Sequence, residues 1–282
     1  MMMTMTKIHK CSMRKGEFLA IAAAGILASC TTYQYESTQE RKQIVASEAA
    51  AKVGDAPDFT AFTDTRAKKQ AFFDYLRPGI ELENQRVKKE RERLDKIQTN
   101  LQQRKVTEDD LETAKRLGKL YNLELDEGEV TQVWMDEMLH RVDVLPKALV
   151  MVQGANESAW GTSRFATKAN NYFGQWCYSK GCGLVPLQRV DGMSHEVAKF
   201  SSVQQSINGY FMNVNRNAAY EALRDIRYQR HSTGQSLTDI DAAIALTNGL
   251  LKYSERGEAY VNDLQTMIRH NKPFFESQTT QQ

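Results

Sequence analysis

Apolar residues recur at helical intervals through the second half of this chain. Leu111, Ala114, Leu117, Leu120 and Tyr121 fall on one helical face, behind Thr107 and Asp110, which form a capping-box start. Asp126 to Gly128 reads as a turn, and Val130, Val133, Trp134, Met138 and Leu139 mark a second helix. A third begins near Pro146 and runs from Leu145 to about Asn156. It is apolar nearly all round, which predicts a buried helix. From 171 to 200 the pattern changes to short alternating pieces, Val185 to Val190 and His195 to Phe200, among Gly174, Gly181, Gly183 and Gly192. That suits a small β-hairpin with Asp191-Gly192 as its turn. Helical spacing resumes with Val203, Ile207, Tyr210, Phe211 and Val214 behind a Ser202/Gln205 box. Further helices are predicted at 218–230, 237–252 and 257–270, with Pro273 ending the last. The fold class expected is α+β and mostly helical, with one small β lobe.

The first half is patterned less clearly. Residues 31 to about 56 are polar and read as a tether. Residues 58 to 105 hold several aromatics and then a dense charge run, Arg86 to Arg93. Leu82, Val87, Leu94, Ile97 and Leu101 give a loose stripe, which predicts a solvated helix or helical hairpin. The expected division is an address at 1–30, a tether and charged helical region at 31–106, a compact domain at 107–271 and a tail at 272–282.

Charge narrows the partners. The 282 residues carry 37 basic and 35 acidic side chains, a net charge of +2, so no bias toward nucleic acid is visible. The N-terminus has the form of an export address. Lys7, Lys10, Arg14 and Lys15 precede the apolar run Phe18 to Leu27, which is far shorter than the ~20 residues of a membrane-spanning helix. The run ends in Leu27-Ala28-Ser29-Cys30, which resembles the lipobox of bacterial lipoproteins. The resemblance implies cleavage before Cys30 and a lipid anchor on it; Thr31 in the next position points to the outer membrane, facing the periplasm. An ordinary signal peptide with an incidental Cys is the alternative. In an exported chain, Cys177 and Cys182 read as a small-loop disulfide. A zinc site is the weaker alternative, since His195 is the only nearby His and no second Cys pair exists. No metal or cofactor is expected.

The candidate chemistry lies where the buried third helix ends. Glu157 stands there, followed by Ser158-Ala159-Trp160-Gly161 and, further on, by Asn170-Asn171-Tyr172-Phe173-Gly174-Gln175-Trp176. Burial and the negative end of a helix dipole both disfavour a charged carboxylate. A carboxyl held protonated in this way can donate a proton to a leaving oxygen. The structural alternative is a Glu that caps the helix or pairs with Arg164. Trp160, Tyr172, Phe173 and Trp176 offer flat faces for sugar rings, with Phe165 and Phe173 the core candidates and Trp176 the exposed one. Asn156, Ser158, Ser163, Asn171 and Gln175 offer polar groups for hydroxyls and N-acetyl groups.

ANESAWGTSRFA followed by NNYFGQW resembles the signature of family 73 of the glycoside hydrolases, bacterial N-acetylglucosaminidases, and its Bax-type members most. Further matches lie at 197–210 and 217–227, so the resemblance covers roughly residues 107 to 271. It implies a lysozyme-like α+β fold and hydrolysis of β-1,4 bonds after N-acetylglucosamine in peptidoglycan strands. By the same resemblance Glu157 is the catalytic acid, Tyr220 lines the cleft to contact substrate or position water, and Asn171 and Phe173 shape the cleft beside the acid. Gln175 and Trp176 stand where relatives commonly carry Lys.

A two-carboxylate glycosidase needs its pair ~5–9.5 Å apart. Glu196 and Asp191 are the acidic residues of the β region, Glu196 ranking first because a strand holds a side chain more rigidly than a turn. Without either, the substrate's N-acetyl group would assist, or Tyr220 would position water. A non-hydrolytic wall-binding protein on the same fold and a lytic transglycosylase are the competing functions.

Overall fold

The computed structural model describes residues 54–187 and 195–276. The expected address at 1–30 with Cys30, most of the tether, and Asp191 with its turn lie outside the described residues. Helix α1 spans Thr65–Gln102, 38 residues, or about 57 Å at 1.5 Å per residue. Asp64 caps it, its Oδ1 accepting from the Ala67 N–H at 2.7 Å.

This helix is the largest departure from the sequence reading. Phe73, Leu76, Ile80, Glu83, Val87, Glu90, Leu94 and Ile97 are all buried, at alternating spacings of three and four, so one continuous stripe faces inward. The stripe is concealed in the sequence by two glutamates. Glu83 accepts from Arg86 at 2.8 Å, Asn208 at 3.0 Å and Gln204 at 3.1 Å. Glu90 accepts from Arg86 at 2.8 Å and from the Tyr121 hydroxyl at 2.5 Å. Each buried charge is therefore met by several donors, the condition under which charge is tolerated inside. The apolar members join the same core as residues of the later helices, so the core does not begin at residue 107.

Helix α2 (Glu108–Leu120) starts with the expected Thr107/Asp110 capping box. Helix α3 (Gln132–Arg141) is capped by Thr131. Helix α4 (Lys147–Glu157) buries every residue from Ala148 to Ala155, as its unbroken apolar pattern predicts. Helix α1 packs along it, and Gly154 permits the approach: a Cβ there would sit 2.9 Å from Leu76 and 3.4 Å from the Phe173 ring. Helix α5 (Arg164–Ala169) follows.

The β lobe is a three-stranded antiparallel sheet of order β1-β3-β2: β1 is Trp176–Cys177, β2 Gly183–Leu184 and β3 Glu196–Ala198. Trp176 pairs with Val197, and Gly183 with Ala198. The sequence reading anticipates β3 and misses β1 and β2; of its piece at Val185 to Val190, residues 185–187 are not strand and 188–190 lie outside the described residues. A disulfide joins Cys177 to Cys182 across the β1–β2 loop.

Helix α6 (Val203–Arg216) leads through a 3-10 turn at Ala218–Tyr220 into α7 (Glu221–Ser232). Helix α8 is shorter than expected, Ile240–Thr247, with Asp239 as its cap. It gives way to a 3-10 turn where a Cβ on Gly249 would lie 2.2 Å from the backbone of Leu223. Helix α9 runs Glu258–Glu276, through Pro273 rather than ending there. Its last turn is docked: Phe274 and Phe275 meet the Phe73 ring at 5.8 and 5.1 Å, and Arg77 donates to the Phe274 carbonyl at 3.0 Å. Among the described residues no helix is long and apolar enough to cross a membrane.

Candidate active site

Glu157 is the last residue of α4, half-buried where the helix emerges from the core. Its Oε1 accepts from the Tyr260 hydroxyl at 2.8 Å and the Asn156 amide at 3.2 Å. Burial raises its pKa, and these two hydrogen bonds oppose the rise without cancelling it. Arg164, the alternative partner, instead donates to the Val185 carbonyl at 3.1 Å. The donors on Glu157 are thus neutral, so desolvation prevails and the pKa stands above its ordinary value.

A strained turn follows the acid. Ala159, Trp160 and Gly161 have φ of 49°, 59° and 79°. Left-handed backbone costs a non-Gly residue about 1–2 kcal/mol. Buried Ser158 holds the turn, its Oγ donating to the Gly154 carbonyl at 2.6 Å and accepting from the Gly161 N–H at 2.9 Å. Gly161 is required twice over, for its φ and because a Cβ would fall 2.3 Å from the Phe59 ring.

The turn swings Trp160 back onto α1. Its ring lies 5.6 Å from Phe72 and 5.3 Å from Phe73, with the Lys69 ammonium 5.3 Å from its centroid. Trp160 thus packs against α1 while staying partly exposed. Tyr172, expected as a sugar platform, is instead buried: it is 2% exposed, near Phe72 and Tyr75, and hydrogen-bonded to Tyr75. Asn171 is buried and fully engaged, donating to the Gln175 and Ala198 carbonyls and accepting from the Phe173 and Gln175 N–H groups. Its role is to shape the Phe173-Gly174-Gln175 turn rather than to meet a ligand. Gln175 donates to the Ser206 carbonyl at 2.8 Å. Phe173 stacks on Tyr210 at 4.5 Å. Trp176 is exposed as expected, at 53%, and stacks on His195 at 4.1 Å.

Gly174 has φ 63° and lies against the acid: a Cβ there would stand 3.2 Å from Glu157 Oε2. The other wall is made of tyrosines. Tyr260 is parallel to Tyr253 at 5.7 Å, and Tyr253 lies 5.6 Å from Tyr220. The Tyr253 hydroxyl donates to the Phe173 carbonyl at 2.7 Å, tying this wall to the second motif. Tyr220 is nearly buried; burial raises its pKa most, a hydrogen bond with Asn213 opposes this, and Glu157 and Tyr178 add smaller upward pushes. Tyr178, exposed in the disulfide loop, is thus close enough to Tyr220 to act on it electrostatically. Tyr253 and Tyr260 escape the sequence reading. Their signal is faint: two aromatics in a polar stretch, on opposite sides of the turn into α9.

The β lobe holds Glu196, but not as an open carboxylate. It is buried, its Oε1 accepting from the Gly181 N–H at 3.0 Å and its Oε2 from the Gly183 N–H at 2.8 Å. Both glycines flank Cys182, so Glu196 and the disulfide brace one loop. The two sulfurs and a Glu196 oxygen lie within 4.8 Å of one another, but the sulfurs are bonded to each other and offer no thiolate to zinc.

The family described as glucosaminidase, mannosyl-glycoprotein endo-beta-N-acetylglucosaminidase, matches residues 133–273, which include α4, the β lobe and the tyrosine wall. Protein bax of Escherichia coli (strain K12) is 31% identical over 226 residues, 80% of this chain and 78% of that protein. That alignment is longer than the family match. No solved structure matches the chain. A buried-helix carboxyl, the motif turn behind it and these two matches agree, and the chain belongs to the glucosaminidase family, family 73 of the glycoside hydrolases, as a Bax-type protein.

Proposed function

We propose that this protein hydrolyses β-1,4 glycosidic bonds after N-acetylglucosamine in peptidoglycan, with Glu157 as general acid. The observation that carries the reading is the state of Glu157: a carboxyl desolvated at the end of a buried helix, hydrogen-bonded by neutral donors. The acid transfers its proton to the glycosidic oxygen. The bond from that oxygen to the anomeric carbon breaks, and its electron pair stays with the departing sugar. Water adds to the anomeric carbon, and the proton it releases restores the acid.

The second group of this mechanism is assigned away from Glu196, whose oxygens both accept backbone hydrogens within the β lobe. We assign activation of the anomeric carbon to the substrate's own N-acetyl group, with water held near Tyr220. Glu196→Gln then keeps activity within a few-fold while lowering the melting temperature; a loss comparable to that of Glu157→Gln returns the second catalytic role to Glu196.

Incubation of the full chain with purified sacculi, followed by mass spectrometry of the fragments, tests the reaction. Hydrolysis yields fragments with reducing N-acetylglucosamine. Anhydro-muramyl ends identify a lytic transglycosylase, and the absence of Glu157-dependent fragments identifies a wall-binding protein. The address belongs to the same proposal: residues 1–30 as a lipoprotein signal and a lipid on Cys30, facing the periplasm from the outer membrane. A disulfide in the β lobe supports an oxidising compartment. Incorporation of labelled palmitate that is lost in Cys30→Ala is the expected result; unchanged labelling contradicts the anchor.

A further inference from the structure

Behind the acid, three polar side chains form a single file through the core. The Tyr210 hydroxyl donates to Gln153 Oε1, the Gln153 amide donates to the Tyr260 hydroxyl at 3.0 Å, and Tyr260 donates to Glu157 Oε1 at 2.8 Å. Gln153 and Tyr210 are fully buried and Tyr260 nearly so. Gln153 lies one turn before Glu157 on α4, so both project from the same face of that helix.

We propose that Gln153 and Tyr210 are positioning residues that fix the direction of this file, so that Glu157 Oε1 is always an acceptor and the transferable proton stands on Oε2, the oxygen beside Gly174. The proposal rests on the general-acid reading of Glu157 and goes beyond it.

The direction follows from what each group can do. A tyrosine hydroxyl carries one hydrogen, so Tyr260 donates either to Gln153 or to Glu157. An amide has a donor end and an acceptor end, and the acceptor end of Gln153 is held by Tyr210. Its donor end therefore meets Tyr260, which must spend its hydrogen on Glu157. The stack on Phe173 holds the Tyr210 ring, and with it the hydroxyl oxygen, in place beside the amide. Buried hydrogen bonds in such a row polarise one another in one direction. An oxygen that accepts from Tyr260 has no room on that side for its own proton, so the neutral acid carries it on Oε2. There a glycine leaves the approach open: a Cβ would come within 3.2 Å of that oxygen. Once Oε2 has given its proton to the leaving oxygen, the charge left on the carboxylate is met at Oε1 by a donor already in place, which needs no reorganisation.

The titratable groups that act on Glu157 from the packed elements are Tyr210 on α6, Tyr220 at the start of α7, Tyr253 before α9 and Tyr260 on α9. Burial raises the pKa of all four, so each stays neutral and Glu157 titrates among dipoles rather than charges.

The test follows the side-chain carboxyl of Glu157 by NMR in the full chain labelled with 13C-glutamate, its signal assigned by loss in Glu157→Gln. Gln153→Met removes both ends of the amide at nearly constant volume, and Tyr210→Phe removes only the hydroxyl that orients it. The expected result is an upward shift of the Glu157 midpoint by roughly 0.5–1 pH unit in each variant, because a donor to the carboxylate is weakened or misdirected. In a Tyr260→Phe background the same two changes shift nothing further, since the file is already cut. The high-pH limb of sacculus digestion moves with the midpoint. Unmoved midpoints in folded variants, or equal shifts with and without Tyr260, overturn the positioning role. The titration needs no turnover, so it stands apart from the activity reading: if Glu157→Gln digests sacculi like the parent while the midpoints shift, the file is real and the general-acid assignment is wrong.

Discussion

Glu157 and Trp160 are three positions apart and were expected to serve one ligand, yet they meet different partners, Tyr260 for the one and Phe72 and Phe73 for the other. Glu157 closes a helix whose eight preceding buried residues read plainly in the sequence. Trp160 sits in the middle of three left-handed residues, and only Gly161 announces that conformation. An aromatic ring beside an acid is read as a ligand platform unless the backbone says otherwise, and this backbone delivers it to Phe72 and Phe73. Trp160→Ala therefore acts on stability, at about 3 kcal/mol for removing a large packed ring. A thermal melt should fall by several degrees, while KM for sacculus fragments stays near the parent value. A raised KM without a change in melting temperature would restore the platform role. Asn171 teaches the same point, since a motif residue with four backbone partners has no hydrogen-bonding capacity left for a sugar.

At the scale of elements, α2, α3, α4 and α6 were legible because their apolar stripes are uninterrupted, with Thr107 and Ser202 capping α2 and α6 at the right offsets. Helix α1 was not, although its inward spacing is as regular as any. Glu83 and Glu90 occupy two of the core-facing positions, and only the tertiary donors Asn208, Gln204 and Tyr121 explain why they are tolerated there. A chain beginning at residue 107 would lack the surface that covers α4 and α6. The expected result for that truncation is no cooperative thermal transition and strong binding of a hydrophobic dye. A sharp transition like that of the full chain would contradict a shared core. The β lobe was half legible: its glycines and its cysteine pair mark a small braced sheet, but two-residue strands leave too short a pattern to locate.

For the whole molecule, Glu157 links the proposed function to stability. Burial raises the pKa of Glu157 in the folded state above its ordinary value of 4.5. A carboxyl raised in this way contributes stability that is fully present below 4.5 and is lost as pH rises through the folded-state value. At neutral pH the folded chain therefore carries a carboxyl that costs stability, and an uncharged isostere relieves it. Glu157→Gln should melt higher than the parent at pH 7, with the difference vanishing below pH 4.5. A lower melting temperature at pH 7 would mean that the carboxylate is stabilised rather than strained.

The most direct measurement is the initial rate of fragment release from purified sacculi by the full chain and by Glu157→Gln, side by side at neutral pH with folding verified for both. A general acid contributes on the order of 10²–10⁴-fold. The predicted result is release of fragments ending in reducing N-acetylglucosamine by the parent and a loss of at least about 100-fold in the variant. Equal rates from the two proteins would contradict the assignment of Glu157 as the acid.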